Sequence, residues 1–286
     1  MNRPGGVRPT LSFEFFPPKT PGGMVKLLDT AGRLAALRPA YFSVTFGAGG
    51  STRERTLETV LALMRKTGVE VAPHLSCIGA TAETLREILH RYQEVGIRRL
   101  VALRGDLPSG MGDPGPFRHA RDLVAFIRQE TGAHFHIEVA AYPEIHPQAR
   151  SAAEDLQHFR DKVRAGADGA ITQYFYNPDA YHRLIGESAA LGIDVPITPG
   201  IMPITNHLQL ARFSDACGAE IPRWIRKRLE ALETDEIAIR QFGREAVHGL
   251  CQRLLDEGAP GLHFYTLNQA EPILAVCEDL GLTSRE

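Results

Sequence analysis

The chain has 286 residues, of which 43% are hydrophobic and 23% are charged, and its formal net charge at pH 7 is -2. This length is enough for one large domain or two small ones, and the composition is that of a globular protein with a full core. The near-neutral charge excludes the strongly basic footprint of a nucleic-acid-binding protein, and no uninterrupted apolar run approaches the roughly 18 residues of a membrane span.

The N-terminal segment and the cysteines both indicate a reducing compartment. Residues 1–10 contain no apolar stretch, so we expect a flexible arm rather than a signal peptide, followed by one domain over 11–286. The four cysteines, which form no CxxC or metal spacing, are Cys77, Cys217, Cys251 and Cys277. Because each falls in an apolar stretch, we expect buried free thiols and a cytoplasmic protein.

Short apolar runs alternate with segments of helical period along the whole chain. The predicted strands are 11–16, 41–45, 71–75, 100–103, 137–141, 169–173, 195–198 and 262–265. The predicted helices, each following one strand, are 23–37, 53–67, 82–95, 117–131, 152–165, 179–191, 206–217 and 270–280. Capping boxes that begin at Ser51 and Ser151 support two of the helix starts.

Eight β/α units without a Pro/Ser-rich linker predict an α/β protein with the TIM (β/α)8 barrel fold in a single domain. A doubly wound sheet is the alternative, because the order of elements does not show whether the sheet closes. Residues 221–258 form an oversized helical stretch, which predicts extra helices before the last strand.

The first predicted strand contains an acid among aromatic residues. Period-two alternation places Ser12, Glu14 and Phe16 on one face of that strand. The surrounding phenylalanines and the following Pro-Pro leave the carboxyl poorly solvated, which predicts a raised pKa and a general acid. The alternative is a glutamate at a strand end that pairs with a basic residue.

Polar side chains also follow most of the other predicted strands. These residues are Thr45, His74, Arg104, Asp106, Tyr142, Glu144, His146, Gln173, Tyr265 and Thr266. Barrel enzymes assemble their active sites at the carboxyl ends of their strands, so this ring of side chains predicts a site. Individually, His74 is also consistent with a core histidine, and Arg104 could pair with Asp106. The Gln173 amide suits the edge of a heterocycle, because it offers a donor and an acceptor together.

Several common site types are disfavoured by the sequence. The glycine-rich stretch 47–52 misses the dinucleotide fingerprint, and no phosphate-binding P-loop motif occurs. No pair of site histidines has the helical spacing of a zinc site, so no metal is expected. A serine-hydrolase elbow is absent, and no predicted strand ends in a lysine. The residues alone therefore predict a barrel enzyme that binds a flat, hydrogen-bonding ligand, without naming the reaction.

Eight motifs together resemble methylenetetrahydrofolate reductases of the bacterial type. They are SFEFFPPK (12–19), SVTFG (43–47), APHL (72–75), ALRGDLP (102–108), AAYPE (140–144), AITQ (170–173), PGIMP (199–203) and HFYTLN (263–268). The motifs occur in the order and spacing of that family from about residue 11 to 282. The resemblance implies a TIM barrel that holds FAD and reduces 5,10-methylenetetrahydrofolate to 5-methyltetrahydrofolate with NADH or NADPH in a ping-pong scheme.

The resemblance also implies roles for individual residues. Glu14 matches the general acid of the family, and Asp106 matches a carboxylate beside the flavin and the pterin. The positions that match FAD contacts are Thr45, His74, Arg104, Gly105, Asp106, Ala120, Tyr142, His146, Asp155 and Lys162. Those at the folate site are Gln173, Gln209, Phe213, Tyr265 and Gln269. Two departures are Gln269, where the family usually has a basic residue, and His119, where an aromatic residue is common.

Two other functions stay open at this point. One is a family member that mainly oxidises 5-methyltetrahydrofolate, and the other is a non-catalytic subunit that docks to an oxidoreductase. The expected partners are the folate and NAD(P)H, without nucleic acid or membrane, and the sequence allows a homo-oligomer.

Overall fold

A computed structural model describes residues 8–46, 50–106 and 115–283 of the protein. The glycines of the 47–52 stretch that precede residue 50, the last two residues of the 102–108 motif and most of the predicted N-terminal arm lie outside these residues. The first strand begins at Thr10, and the Arg8 guanidinium donates to the backbone oxygens of Leu37 and Leu282.

The described residues form nine strands and ten helices in alternating order. The strands are β1 (Thr10–Phe15), β2 (Tyr41–Val44), β3 (Val71–Ser76), β4 (Arg99–Leu103), β5 (His136–Ala141), β6 (Gly169–Thr172), β7 (Ile197–Thr198), β8 (Gly200–Ile201) and β9 (Gly261–Tyr265). The helices are α1 (Pro21–Ala35), α2 (Gly50–Thr67), α3 (Ala82–Glu94), α4 (Ala120–Thr131), α5 (Ala152–Arg164), α6 (Pro178–Ala190), α7 (His207–Cys217), α8 (Arg223–Leu232), α9 (Glu236–Asp256) and α10 (Glu271–Asp279).

All strand pairs are parallel, and the sheet order is β7-β6-β5-β4-β3-β2-β1-β9-β8. The strands β7 and β8 are consecutive in the chain, separated only by Pro199, and they pair with the opposite sheet ends β6 and β9. The Pro199 oxygen accepts from the His263 nitrogen at 3.0 Å, which continues the pairing across the break. These two short strands bring the ends of the sheet together, so the TIM barrel prediction is confirmed.

The predicted seventh strand, 195–198, is therefore interrupted and shifted. Proline has no backbone N–H to donate to a neighbouring strand, so the ladder is broken at Pro199. At the next residue, a Cβ on Gly200 would lie 2.1 Å from the Thr172 oxygen, so only glycine fits this close approach. The extra helices predicted within 221–258 are α8 and α9.

Alternation along β1 divides the core into two parts. Phe13 and Phe15 are fully buried outside the strand ring, where both rings pack on Phe42 at centroid distances of 6.1 and 5.2 Å. The interior of the barrel contains a small separate cluster of Tyr41, Ala72, Val101 and Ile171. Ser12 and Glu14 point into this interior, where Glu14 is in register with Ser43 on one side and Tyr265 on the other.

All four cysteines are free, with Cys217 half-buried and the other three buried. None of the helices in the described part of the chain is long and apolar enough to span a membrane.

Candidate active site

The backbone that follows β9 fixes the carboxyl end of β1. The Thr266 hydroxyl donates to the backbone oxygen of Glu14 at 2.6 Å, and the Thr266 backbone nitrogen donates to the same oxygen at 3.2 Å. The Asn268 amide then pairs with the Phe16 backbone, accepting from its nitrogen at 3.1 Å and donating to its oxygen at 2.9 Å. Asn268 has a φ of 56°, a conformation that asparagine tolerates better than most residues. The segment 266–268 thus holds in place the strand that presents Glu14.

Two histidines from other strands face the Glu14 carboxylate. Nε2 of His74 on β3 lies 3.3 Å from Glu14 Oε2, and Nε2 of His263 on β9 lies 3.7 Å from the same oxygen. The second histidine is fixed from behind, because its Nδ1 lies 2.8 Å from the Ser12 hydroxyl oxygen. One carboxylate oxygen is therefore shared by two imidazoles.

These imidazoles reverse the pKa expected for Glu14. Burial raises the pKa of the carboxyl, but interaction with His74 and His263 outweighs burial and lowers it to about 2. The prediction of a raised pKa is therefore wrong. Its physical reason was also wrong, because Phe13 and Phe15 lie on the opposite face of β1 and Phe16 is 45% exposed. Glu14 lies beside two histidines, so its environment is that of the alternative, a strand-end glutamate beside a basic residue.

A larger cavity of about 950 Å³ opens at the carboxyl ends of β3, β4 and β5. Eight of the residues assigned to the cofactor line it: Arg104, Gly105, Asp106, Ala120, Tyr142, His146, Asp155 and Lys162. The N-terminus of α4 also lines this cavity, at Ala120 and Arg121. A helix N-terminus and cationic side chains together favour an anionic group such as a phosphate.

Several contacts hold the floor of the larger cavity in place. Gly105 has a φ of 87°, and a Cβ there would lie 1.9 Å from Ser76 Oγ, which itself donates to the Arg104 oxygen. The Arg104 guanidinium donates to Gln148 Oε1 and to the Gly105 oxygen, and no ion pair with Asp106 occurs among the described residues. Arg104 and Asp106 are therefore both left to face the cavity.

The α5 residues Asp155 and Lys162 support the same wall. They lie on one face of the helix, two turns apart. Asp155 accepts from the His146 nitrogen at 2.8 Å, and Lys162 donates to the Ala140 oxygen. Burial lowers the pKa of Lys162 to about 8, and the Asp155 charge opposes this only in part. Burial also lowers the pKa of His146 and raises that of Tyr142 to about 12.

A second cavity of about 610 Å³ contains Glu14 and is called the acid cavity below. Other predicted site residues that line it are Thr45, His74, Gln173, Phe213 and Tyr265. The Tyr265 hydroxyl donates to the Thr172 oxygen at 2.7 Å, and Gln173 Oε1 accepts from the Tyr174 nitrogen at 2.9 Å. The amide nitrogen of Gln173 is the part of this side chain left for a ligand, and Phe213 presents a 38% exposed ring.

The two cavities share a wall, and three predicted residues, Glu144, Gln209 and Gln269, lie outside both. Asp106, Tyr142 and His146 line both the larger cavity and the acid cavity, so these form one continuous cleft. Gln209 lies on the first turn of α7, and the half-buried Gln269 follows β9, but neither lines these cavities.

Sequence reasoning missed Ser12 and His263 as parts of the site. Their signal was present, because Ser12 shares the inner face of its strand with Glu14, and His263 shares that of Tyr265. Two polar residues facing the interior of a barrel at the same level are unusual where bulky apolar residues are typical.

Comparisons with known proteins agree on one family. Residues 3–281 match the family model described as methylenetetrahydrofolate reductase. The 5,10-methylenetetrahydrofolate reductases of Salmonella typhimurium and Escherichia coli are each 43% identical to this chain, over 95% of it and 90% of the relative. A Zea mays protein named methylenetetrahydrofolate reductase (NADH) 1 is 37% identical over 97% of this chain and 49% of its own length.

One solved structure matches the fold over 95% of both chains, with a TM-score of 0.68 and 16% identity. It is a protein from Clostridium thermocellum described as binding two copies of 5-methyl-5,6,7,8-tetrahydrofolic acid. At this identity the likeness shows the barrel fold alone.

Proposed function

Because the chain belongs to the methylenetetrahydrofolate reductase family, we propose that it reduces 5,10-methylenetetrahydrofolate to 5-methyltetrahydrofolate with NADH or NADPH through bound FAD. The observation that supports this most directly is the continuous cleft in which Glu14 faces one cavity while Asp106 and Tyr142 border both. The product would serve one-carbon metabolism and methionine synthesis in the cytoplasm.

The larger cavity has the chemistry that FAD requires. The α4 N-terminus, Arg104 and Lys162 are suited to a diphosphate. When bound, FAD accepts a hydride from the pyridine nucleotide and delivers one to the folate. The residues of this cavity bind and orient the cofactor, and Asp106 keeps a carboxylate at the border with the acid cavity.

The acid cavity suits a reduced pterin. The Gln173 amide offers its N–H donors, and Phe213 offers a ring on which a flat heterocycle can stack. Reduction requires a proton on one of the two folate nitrogens bridged by the methylene group, so that the five-membered ring opens to a cationic iminium. Glu14 is placed to deliver that proton, and the Asp106 carboxylate favours the positive charge that develops.

The two half-reactions can be separated by experiment. In anaerobic stopped-flow measurements, Glu14→Gln should bind FAD and be reduced by NAD(P)H at nearly the wild-type rate. Reoxidation of its flavin by methylenetetrahydrofolate should fall at least about 100-fold, as expected when a general acid is removed.

Glu144→Gln is the matched control for this substitution. Glu144 lies in the loop after β5 and accepts from the Glu220 nitrogen at 2.8 Å, without lining either cavity. A glutamine can accept the same hydrogen bond, so both half-reactions should be retained. Loss of both half-reactions in Glu14→Gln would show that Glu14 is structural, and a wild-type protein that binds no flavin would refute the proposed function.

A further inference from the structure

A third cavity of about 300 Å³ lies among the outer helices, between α9, α10 and the segment that follows β8. It is called the α9–α10 cavity below. Its lining is mainly apolar and includes the buried residues Ile204, Val247 and Val276. None of its lining residues belongs to the larger cavity or to the acid cavity, so it is separate from the cleft described above. Its volume is in the range of small-molecule sites.

The charged side chains that line the α9–α10 cavity differ in whether they already have a partner. Arg244 makes a bidentate ion pair with Asp279 of α10, with N–O distances of 2.6 and 2.5 Å, and Glu271 pairs with Arg33 of α1. Arg240 is exposed, and among the described residues it has neither a carboxylate partner nor a hydrogen-bond acceptor. The Arg240 guanidinium is therefore left for an anion at the rim of the cavity.

A buried hydroxyl group in the same cavity also has no partner. Thr205 lines the cavity and is only 9% exposed, and its hydroxyl takes part in no hydrogen bond with the described residues. Buried polar groups are nearly always hydrogen-bonded, and a valine would have the same shape without the cost of desolvating a hydroxyl. The Thr205 side chain thus indicates a ligand that completes its hydrogen bonding.

We propose that the α9–α10 cavity binds a small carboxylate with an apolar body. The carboxylate accepts hydrogen bonds from the Arg240 guanidinium and from the Thr205 hydroxyl, while the apolar body packs against Val247 and Val276. A single guanidinium matches a carboxylate, because its forked N–H groups can donate to both oxygens. A more highly charged anion would keep unpaired charge next to the apolar lining, which costs free energy.

Titration with phenylacetate tests this site, because the compound joins a carboxylate to a compact apolar ring. FAD is added in excess to fill the larger cavity, and binding is followed by the broadening of the NMR signals of the ligand. Phenylacetate should bind the wild type with a Kd of about 1 mM or lower. Phenylacetamide keeps the ring without the charge, and acetate keeps the charge without the ring, so each should bind at least about tenfold more weakly. A wild-type protein that binds the amide as well as the acid, or binds neither, would overturn the proposal.

Three substitutions test whether phenylacetate binds in this cavity. Arg240→Gln removes the cation and should raise the Kd about tenfold, and Thr205→Val removes the hydroxyl and should raise it about threefold. Ala275→Leu places a larger side chain in the cavity and should abolish binding. Arg228→Gln is the matched control for the charge, because it changes an exposed arginine of α8 that lines none of the three cavities, and it should leave the Kd unchanged.

Each variant is first shown to be folded by its thermal unfolding without ligand. Thr205→Val should be at least as stable as the wild type, because it removes an unpaired buried hydroxyl, so this variant decides the question even if Ala275→Leu does not fold. A wild-type Kd in Ala275→Leu would place the ligand in another cavity. An unchanged Kd in Arg240→Gln or in Thr205→Val would refute the corresponding contact. These measurements need no turnover, so their outcome is independent of the proposed function.

Discussion

We expect the buried Lys162 ammonium to set the pH range over which the larger cavity attracts the diphosphate of FAD. Burial lowers its pKa to about 8, so the side chain is charged at pH 7 and loses its charge as the pH rises above 8. A bound anion favours the charged form and moves this loss to somewhat higher pH. A hydrogen bond to a charged group contributes about 1.5–3 kcal/mol, so the Kd for FAD should rise about 10- to 100-fold between pH 7 and pH 10.

Titration of the flavin-free protein with FAD at several pH values measures this effect. Lys162→Met should bind FAD weakly already at pH 7 and show a flat profile. Lys227→Met changes an exposed lysine that pairs with Glu230 on α8, and it should behave as the wild type does. A wild-type Kd that is constant from pH 7 to pH 10 would show that Lys162 does not contact the diphosphate.

Glu14 shows what residue-level reasoning can and cannot provide. The alternation of polar and apolar residues was enough to place it on the inner face of the first strand. Its pKa could not be derived in that way, because the groups that set it come from β3 and β9, which are 60 and 249 positions away along the chain. Charge interactions between strands depend on barrel register, which no local pattern contains.

At the scale of elements, α9 contains the same residue type in two opposite environments. Gly243 faces the segment after β8, and a Cβ there would lie 2.0 Å from the Ile204 oxygen. Gly249 is exposed on the same helix, and a Cβ there would meet nothing within 4 Å. The position of the glycine, and not its helix propensity alone, therefore decides the sign of a substitution.

Alanine at these two positions should change stability in opposite directions. Gly249→Ala should increase the free energy of unfolding by about 0.5–1 kcal/mol, because alanine loses less backbone entropy than glycine in a helix. Gly243→Ala should decrease it by about 1–3 kcal/mol, the usual cost of overpacking. Urea unfolding of both variants measures this difference, and a stabilised Gly243→Ala would show that α9 can move away from Ile204.

The seventh strand marks the limit of prediction at this scale. The predicted cap at Ser151 is confirmed, since its hydroxyl accepts from the Glu154 nitrogen, but the predicted cap at Ser51 is wrong, because α2 already begins at Gly50. The break at Pro199 was not predicted, because the apolar run before it reads as an ordinary buried strand. What divides the strand is its position between β6 and β9, where each half pairs with only one neighbour.

For the whole molecule, the number of β/α units predicted the barrel, but the connection between the two cavities required coordinates. Asp106, Tyr142 and His146 come from two strand ends that are far apart in sequence, and their shared wall follows from the pairing of β4 with β5. The same connection explains how one chain could offer adjacent places to a dinucleotide cofactor and to a substrate. Binding of a cofactor in the larger cavity should also raise the free energy of unfolding, by an amount that depends on which parts of the cofactor contact the protein.

The part of the larger cavity lined by His119 and His158 should distinguish FAD from FMN. His119 and His158 stack there with ring centroids 5.5 Å apart and an interplanar angle of 19°, and both line the cavity with Arg121. Such a stacked pair offers a face to an adenine ring, which FMN lacks. At a concentration of 100 Kd, FAD should add about 2.7 kcal/mol to the free energy of unfolding.

In thermal unfolding this corresponds to a Tm increase of about 5 °C for a chain of this size. FMN at the same concentration should give less than half of that increase, because it leaves the histidine pair without a ligand. His158→Ala should weaken FAD and leave FMN binding unchanged, whereas His90→Ala, on the exposed face of α3, should affect neither. Equal Tm increases with FAD and FMN would show that the adenine of FAD makes no contact in this cavity. In that case the two ligands would be bound through the same groups alone.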